Sequence, residues 1–187
     1  MTDASVRGYN SVAKALHWIV AGCVLAAIPL GLAMVNVGPG PLQNTLYDLH
    51  RSFGALILGL MAVRLAWRLI RRPPPRNIPM PVWQTRLAAT VHGSLYVMLL
   101  AMPLLGWAGT SAFPATITVF GLFDLPPLIG PDRELSETLL DIHATAAFVL
   151  VGLVCLHIGA AMYHHFVRKD DVLRRMLPGA TIRNPNP

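Results

Sequence analysis

Four long apolar runs, separated by polar or Pro- and Gly-rich connections, make up most of the chain. Each is long enough for an α-helix of about 20 residues, the length that crosses the roughly 30 Å hydrocarbon core of a bilayer. The predicted helices cover about residues 13–37, 47–70, 84–110 and 136–167. Pro103 lies inside the third helix, where a membrane helix tolerates it. The pattern predicts an all-α, integral membrane four-helix bundle that forms one domain over residues 1–187.

The connections carry their own signals. The run Gly38–Pro41 ends the first helix, and the Pro-rich run Arg72–Pro75 ends the second, because proline and glycine interrupt helices. The third connection, Ser111–Leu135, is rich in Pro and Gly but partly apolar. We expect it to lie in the membrane interface as a lid or a re-entrant turn.

Charged residues predict the topology. Basic residues precede the first helix, bracket the second connection and follow the fourth helix: Arg7, Lys14, Arg68, Arg71, Arg72, Arg76, Arg86, Arg168, Lys169, Arg174, Arg175 and Arg183. The other two connections and their flanks are mostly acidic, with Asp48, Asp124, Asp132, Glu134, Glu137 and Asp141 against Arg51 and Arg133. The positive-inside rule therefore places both termini and the second connection in the cytoplasm.

Composition supports a membrane protein. The chain is 54% hydrophobic and 13% charged, whereas soluble domains are about 45–50% apolar and about 25% charged. The net charge of +6 does not indicate a nucleic-acid partner, because the basic residues lie in short runs beside the helices. Cys23 and Cys155 each lie within an apolar run, so we expect packed thiols rather than a disulfide. The absence of a Cys-x-x-Cys-His motif excludes covalent c-type haem attachment.

The histidines are the strongest functional signal, because ionisable groups at membrane depth are costly and usually mark a function. Seven occur, all of them within the predicted helices: His17, His50, His92, His143, His157, His164 and His165. For His164 and His165, which precede Arg168 and Lys169, the simplest interpretation is that they extend to the interface.

The spacing of two histidines in the fourth helix predicts two sites at different depths. His143 and His157 are 14 residues apart, which corresponds to about 21 Å of rise and about 40° of angular drift. Both therefore face the bundle, one near each leaflet. On the outer side, His50 is the one other histidine, so it pairs with His143 by elimination. On the inner side, the partner of His157 is either His17 or His92, and spacing does not choose between them.

Paired histidines at two depths favour haem over zinc. A structural zinc ion needs about four ligands at one depth, whereas a haem iron needs two axial imidazoles. Glycines near the histidines would admit a flat macrocycle: Gly54, Gly93, Gly152 and Gly159. Arg51 is a candidate to neutralise haem propionates. The alternative is a set of packed or interfacial histidines without metal.

Several stretches resemble the bacterial cytochrome b561 family. They occur in the same order over nearly the whole chain: Lys14–Trp18, Leu49–Gly54, Arg72–Pro75, Met102–Trp107, Asp141–His143, Leu156–His157, His164–Phe166 and Arg174–Pro178. The resemblance implies a bacterial inner-membrane cytochrome with two haem b groups. It places the ligands on His17, His50, His143 and His157, with His17 paired to His157 and His50 paired to His143.

The resemblance also implies a function. Family members carry electrons in exchange with ubiquinone, and one branch, the superoxide oxidases, passes electrons from superoxide to quinone. We therefore expect electrons to pass from a periplasmic donor, through the outer and then the inner haem, to the ubiquinone pool. His92 and His164 are candidates to hydrogen-bond a propionate or a quinone carbonyl, and Trp18 or Trp107 could line a haem or quinone pocket.

The charge of the outer face affects which electron donor it can attract. Superoxide is an anion, and Arg51 and Arg133 are the basic residues available to attract it there, among predominantly acidic neighbours. One alternative is therefore a haem subunit that docks a periplasmic dehydrogenase or cytochrome and relays its electrons. Another is a transporter or sensor without haem.

Overall fold

The computed structural model describes residues 8–71, 74 and 80–180. Four long helices dominate it: α1 Ser11–Asn36, α2 Pro41–Ile70, α3 Val82–Ala112 and α4 Arg133–Met162. Within the described residues these are the helices long and apolar enough to cross a membrane, which confirms the all-α four-helix prediction. Arg7, Arg72, Arg76 and Arg183, which entered the topology prediction, lie outside the described residues.

The α2 helix begins at Pro41, six residues before the predicted start. Proline suits the first turn because its missing N–H would have no intrahelical partner there, and Gly40 supplies the positive φ of 155° before it. The Gln43 amide donates to the carbonyls of Met34 at 2.9 Å and Val37 at 3.0 Å, which joins the two helix ends. This first turn of α2 is polar, so a search for apolar runs misses it.

The fourth helix extends beyond the hydrocarbon layer. It continues from α4 into a π-helical turn, Tyr163–Arg168, and the 36 helical residues span about 54 Å. At its start the Asp132 carboxylate accepts a bond from the Leu135 N–H at 3.0 Å. At its end Lys169 adopts a left-handed conformation, with φ 54°, and stops the helix.

A two-stranded antiparallel hairpin occupies the third connection, with strands β1 Ile117–Val119 and β2 Phe123–Leu125. Its tight turn uses positive φ angles at Phe120 (48°) and Gly121 (72°). The prediction of a lid or re-entrant turn did not anticipate strands, because this segment shows no clear alternation of apolar and polar residues.

The helices pack mainly on their neighbours in the chain: α1 on α2, α2 on α3 and α3 on α4. A buried apolar cluster joins α1 and α2, formed by Val20, Cys23, Val24, Ala27, Ile57 and Met61. Both cysteines are free thiols: Cys23 is packed in this cluster, as predicted, whereas Cys155 lies on the exposed surface, so the prediction that it is packed was wrong. Within the described residues, α4 makes little or no close backbone contact with α1 or α2. A gap that only side chains cross therefore separates α4 from the first two helices.

The two ends of the bundle differ in charge. At one end, here called the basic end, the N-terminal residues, the C-terminal segment and Pro74 meet: the Lys14 ammonium donates to the Leu177 carbonyl at 2.9 Å, and the Arg175 guanidinium donates to the Pro74 carbonyl at 3.2 Å. The other end, here called the acidic end, holds the α1–α2 turn and the hairpin. The residues that give the acidic end its name are Asp48, Asp124, Asp132, Glu134, Glu137 and Asp141.

Candidate functional site

Two histidines face each other across the gap near the acidic end. His50 on α2 and His143 on α4 have ring centroids 6.0 Å apart and ring planes at 82°. A metal ion about 2 Å from one nitrogen of each ring, with each ring centre about 1.1 Å beyond its nitrogen, would separate the centres by about 6 Å. The separation of this acidic-end pair therefore leaves room for one metal ion between the two imidazoles.

Backbone carbonyls fix the tautomer of both rings. His50 Nδ1 lies 3.0 Å from the Ala27 carbonyl on α1, and His143 Nδ1 lies 2.9 Å from the Met102 carbonyl on α3. Because a carbonyl oxygen only accepts, each Nδ1 carries the hydrogen. The lone pair is then on Nε2, as a metal-ligating imidazole requires.

A glycine on the neighbouring helix makes room for each of these rings. A Cβ atom at Gly31 of α1 would lie 2.9 Å from His50 Cε1, and one at Gly106 of α3 would lie 3.3 Å from His143 Cε1. Sequence reasoning missed both roles. The available signal was a glycine two or three residues after a proline inside α1 and α3, at Pro29 and Pro103.

The glycines singled out from the sequence have a different setting. A Cβ atom at any of them would meet no described atom within 4 Å: Gly54, Gly93, Gly152 and Gly159. They border open space rather than packed neighbours. Such space leaves room for a macrocycle but does not identify one.

A cleft opens beside the acidic-end pair. Both rings line it, together with Arg51, Gly54 and Trp107, and its other walls are mostly apolar. The Arg51 side chain is 23% exposed and lies 3.9 Å from the Asp48 carboxylate. A guanidinium at the edge of an apolar cleft suits a ligand that has a flat apolar body and a carboxylate.

The β-hairpin is fixed over this cleft by hydrogen bonds. Ser52 on α2 is 2% exposed; its hydroxyl accepts the Phe120 N–H at 2.9 Å and donates to the Asp48 carbonyl at 2.7 Å. The Trp107 indole on α3 donates to the Pro126 carbonyl at 3.0 Å. The connection is therefore a clamped cover, and Trp107 both lines the cleft and holds that cover.

Three histidines meet toward the basic end. The His157 ring on α4 lies 6.1 Å from the His17 ring on α1, with planes at 77°, and 5.1 Å from the His92 ring on α3, with planes at 84°. The His92 Nδ1 lies 2.5 Å from the carbonyl of Ala88 in its own helix. Both partners considered from the sequence are thus adjacent to His157, and the His17 separation is the one that resembles the acidic-end pair.

Arg64 is a residue of this region that sequence reasoning missed. It lies on α2, donates from Nε to the Tyr96 hydroxyl at 3.2 Å and from Nη1 to the Ala13 carbonyl at 3.3 Å. It is close enough to interact electrostatically with His17 and His157. The sequence did contain a signal for it: Arg64 lies inside the second apolar run, four residues before Arg68. A charged residue within a membrane helix usually marks a function.

His164 belongs to a polar network at the basic end. Its Nδ1 lies 2.6 Å from the Asp170 carboxylate, which also pairs with Arg168 Nε at 3.3 Å. Arg168 in turn donates to the Gln84 amide oxygen at 2.9 Å. His164 is 12% exposed, so it does not simply extend to the interface.

Two further residues named from the sequence lie at the same end. The Trp18 indole donates to the Met176 carbonyl at 2.9 Å and its ring contacts His17, so it joins the C-terminal segment to α1. The His165 ring contacts Phe166.

The donor set suits a group that needs two ligands at each of two depths. In the part of the chain that the structure describes, no group of three or more His, Cys, Asp or Glu side chains is arranged to hold a metal ion. Zinc sites need three or four protein ligands. Haem iron needs one or two axial ligands, which these pairs can supply.

The amino-acid sequence is similar to those of known proteins. The profile of a family described as prokaryotic cytochrome b561 matches residues 8–179. Cytochrome b561 homolog 2 of Escherichia coli (strain K12) is 34% identical over 171 residues, 90% of each chain. The probable superoxide oxidase CybB of Yersinia pestis is 30% identical over 173 residues, 92% of this chain and 97% of that protein. The match to the family profile includes all four helices and both sets of histidines.

Proposed function

Because the chain belongs to the prokaryotic cytochrome b561 family, whose members are membrane electron carriers with b-type haem, we propose that it binds two haem b groups and transfers electrons between a periplasmic donor and the ubiquinone pool. The observation that carries the proposal is the pair of histidine contacts across the gap beside α4, 6.0 Å and 6.1 Å between ring centroids. The protein is a multi-pass membrane protein, and the proposed location is the bacterial inner membrane.

The proposed ligands are His50 with His143 at the acidic-end site and His17 with His157 at the basic-end site. One argument from the structure favours His17 over His92 as the partner of His157. The His17 separation of 6.1 Å fits two imidazoles on one iron, whereas the His92 separation of 5.1 Å is shorter. His92 and His164 remain candidates for hydrogen bonds to a propionate or a quinone carbonyl.

Bound haem would supply the one-electron iron couple on which the function depends. The chain supplies the surroundings. The Ala27 and Met102 carbonyls orient the acidic-end imidazoles so that Nε2 would be available to bind iron, the mostly apolar cleft walls and the hairpin would surround the group, and Arg51 would offer its guanidinium to a carboxylate. Ligand identity, hydrogen bonding to the ligands and burial are the means by which a protein sets the reduction potential of a haem.

The proposed orientation follows from charge. The end that holds the described parts of both chain termini is rich in Lys and Arg, and the positive-inside rule assigns such an end to the cytoplasm. The acidic-end site then lies toward the periplasm and accepts electrons from outside. Cysteine-accessibility labelling at Asp124→Cys and Arg86→Cys from each side of the membrane tests this orientation, and labelling of Arg86→Cys from the periplasm would reverse it.

The haem proposal is tested on the purified protein by its absorption spectrum and its haem-to-protein ratio. We expect a Soret band, a reduced α band near about 560 nm and about two haems per chain. A preparation that folds into the membrane without these bands would contradict the proposal and favour a transporter or sensor without haem. A ratio of about one would leave a single site.

Superoxide is one candidate donor. It is the donor that the name of the Yersinia pestis relative indicates for that protein, and Arg51 at the cleft is a cation positioned to attract an anion. The assay supplies superoxide and a soluble quinone to the purified protein and measures the rate of quinone reduction. A rate no faster than that without protein would exclude the superoxide:ubiquinone oxidoreductase activity.

A relay role is the second candidate, and the acidic end is the observation that favours it. The acidic end carries more carboxylates than basic groups, which suits a positively charged surface of a periplasmic dehydrogenase or cytochrome better than a small anion. Reduction of the haems by a basic redox protein at low salt, lost at high salt, would support this role. Reduction independent of salt would argue against it.

A further inference from the structure

Arg64 lies beside the basic-end site, and among the residues that the structure describes no acidic side chain pairs with it. Its guanidinium is half-buried, and its hydrogen bonds go to neutral acceptors, the Tyr96 hydroxyl and the Ala13 carbonyl. No ion pair between Arg64 and an Asp or Glu is found among the described residues. A positive charge therefore lies near His17 and His157, close to the start of α1.

The acidic-end site differs in this respect. Its cation, Arg51, lies 3.9 Å from the Asp48 carboxylate, and further carboxylates occupy that end of the bundle. The two sites thus share a ring geometry but differ in local charge: within the described residues, the arginine at the acidic end has a carboxylate beside it and the arginine at the basic end has none.

We propose, on the basis of the dihaem function above, that Arg64 raises the reduction potential of the basic-end haem above that of the acidic-end haem and so directs electrons toward the basic end. Reduction adds one negative charge to the iron, and a nearby cation stabilises that form most strongly where water is excluded. The transfer oxidises one iron and reduces the other by one electron, and no bond or proton need move. The periplasmic donor and the quinone of the proposed function supply and remove that electron.

Two contacts keep the charge in place. The bonds of Arg64 to Tyr96 on α3 and to Ala13 on α1 tie its guanidinium to two neighbouring helices, so the cation has a fixed distance from the rings. Arg68, one turn later, also lies over the Tyr96 ring at 5.5 Å, but it is exposed and therefore screened. Arg68 is a matched control of the same charge on the same helix.

The test is a spectroelectrochemical titration of the purified dihaem protein and its Arg64→Gln variant. We expect the midpoint of the basic-end haem to fall by at least about tenfold in its equilibrium constant, about 59 mV for one electron. The acidic-end midpoint should stay unchanged; it is identified as the one that His143→Ala removes. Arg64→Lys should retain most of the wild-type midpoint, and Arg68→Gln should change it much less than Arg64→Gln does.

Specific outcomes overturn the proposal. An Arg64→Gln protein that binds both haems with wild-type midpoints contradicts it, as does a wild-type basic-end midpoint below the acidic-end one. If Arg64→Gln fails to assemble, Tyr96→Phe removes the hydroxyl that holds Arg64 and should lower the same midpoint by a smaller amount; an unchanged midpoint then contradicts the proposal. A wild-type protein without haem would instead refute the proposed function.

Discussion

The acidic-end and basic-end sites present similar pairs of rings in different surroundings. At the acidic end, each ring is held by a carbonyl and fits against a glycine of another helix, with a clamped hairpin above. At the basic end, a third histidine and an unbalanced arginine lie next to the pair. The ring separation is compatible with metal ligation at both sites. The neighbouring residues differ: they fix the ring positions at the acidic end and place a positive charge beside the rings at the basic end.

The largest expected effect is a loss of haem, and it tests which histidine pairs with His157. We expect His17→Ala to lower the haem content from about two per chain to about one, because an axial ligand of the basic-end haem is lost. His92→Ala should retain both haems. The haem-to-protein ratio of each purified variant measures this. Retention of two haems in His17→Ala together with loss in His92→Ala would transfer the ligand role to His92.

The next prediction tests the glycine contact at the acidic end. Gly31→Ala would place a Cβ atom 2.9 Å from His50 Cε1, so the ring must move and the acidic-end haem should be partly or wholly lost. Gly106→Ala should have a milder effect, since its Cβ would lie 3.3 Å from His143 Cε1. Haem content and the amplitude of the acidic-end midpoint report the result.

Gly22→Ala is the control for this substitution. It lies on the same helix as Gly31, and a Cβ atom there meets no described atom within 4 Å. Alanine in a helix interior is about 0.5–1 kcal/mol more favourable than glycine, so this variant should keep both haems and lose no stability. Equal haem loss in Gly22→Ala and Gly31→Ala would mean that the His50 contact is not the cause.

A smaller effect is expected from the clamp on the hairpin. Ser52→Ala leaves the Phe120 N–H without its buried acceptor, which should cost about 1–3 kcal/mol. We expect faster amide hydrogen exchange over β1 and β2, whereas the basic-end site should keep its spectrum. Thr85→Ala removes an exposed hydroxyl that bonds its own helix, so it should change neither. Unchanged exchange in Ser52→Ala would show that the cover is held by other contacts.

The smallest expected effect is a shift of the acidic-end midpoint, and it tests the difference in charge between the two sites. Asp48→Asn removes the anion beside Arg51 and should raise the acidic-end midpoint toward the basic-end one. The shift should be less than about tenfold in the equilibrium constant, because the Asp48 side chain is 69% exposed and the pair is screened. Glu137→Gln, which removes an exposed partner of Arg133, should shift neither midpoint. A fall of the acidic-end midpoint in Asp48→Asn would contradict the comparison.

Part of this arrangement could be read from the sequence. The four spans follow from the lengths of the apolar runs, and the two depths follow from the 14-residue spacing of His143 and His157. The spatial meeting of His50 with His143 follows by elimination. The resemblance to the b561 family favoured His17 over His92, and the structure places both rings beside His157.

The rest depends on contacts between helices, which one sequence does not reveal. Gly31 lies against His50 only because α1 and α2 pack at a particular height and rotation, and Tyr96 meets Arg64 for the same reason across α2 and α3. The hairpin clamp depends on Ser52, a small polar residue in α2 that no local pattern links to Phe120. These partners are far apart in the chain, so helical periodicity carries no information about them.

The two carbonyl–glycine supports also bear on how the protein is assembled. His50 is supported by Ala27 and Gly31 within the α1–α2 hairpin, and His143 by Met102 and Gly106 within the α3–α4 hairpin. Each pair of consecutive helices therefore contains the contacts that orient its own histidine. Haem bound between His50 and His143, as proposed, would join two halves of the bundle whose rings are already oriented.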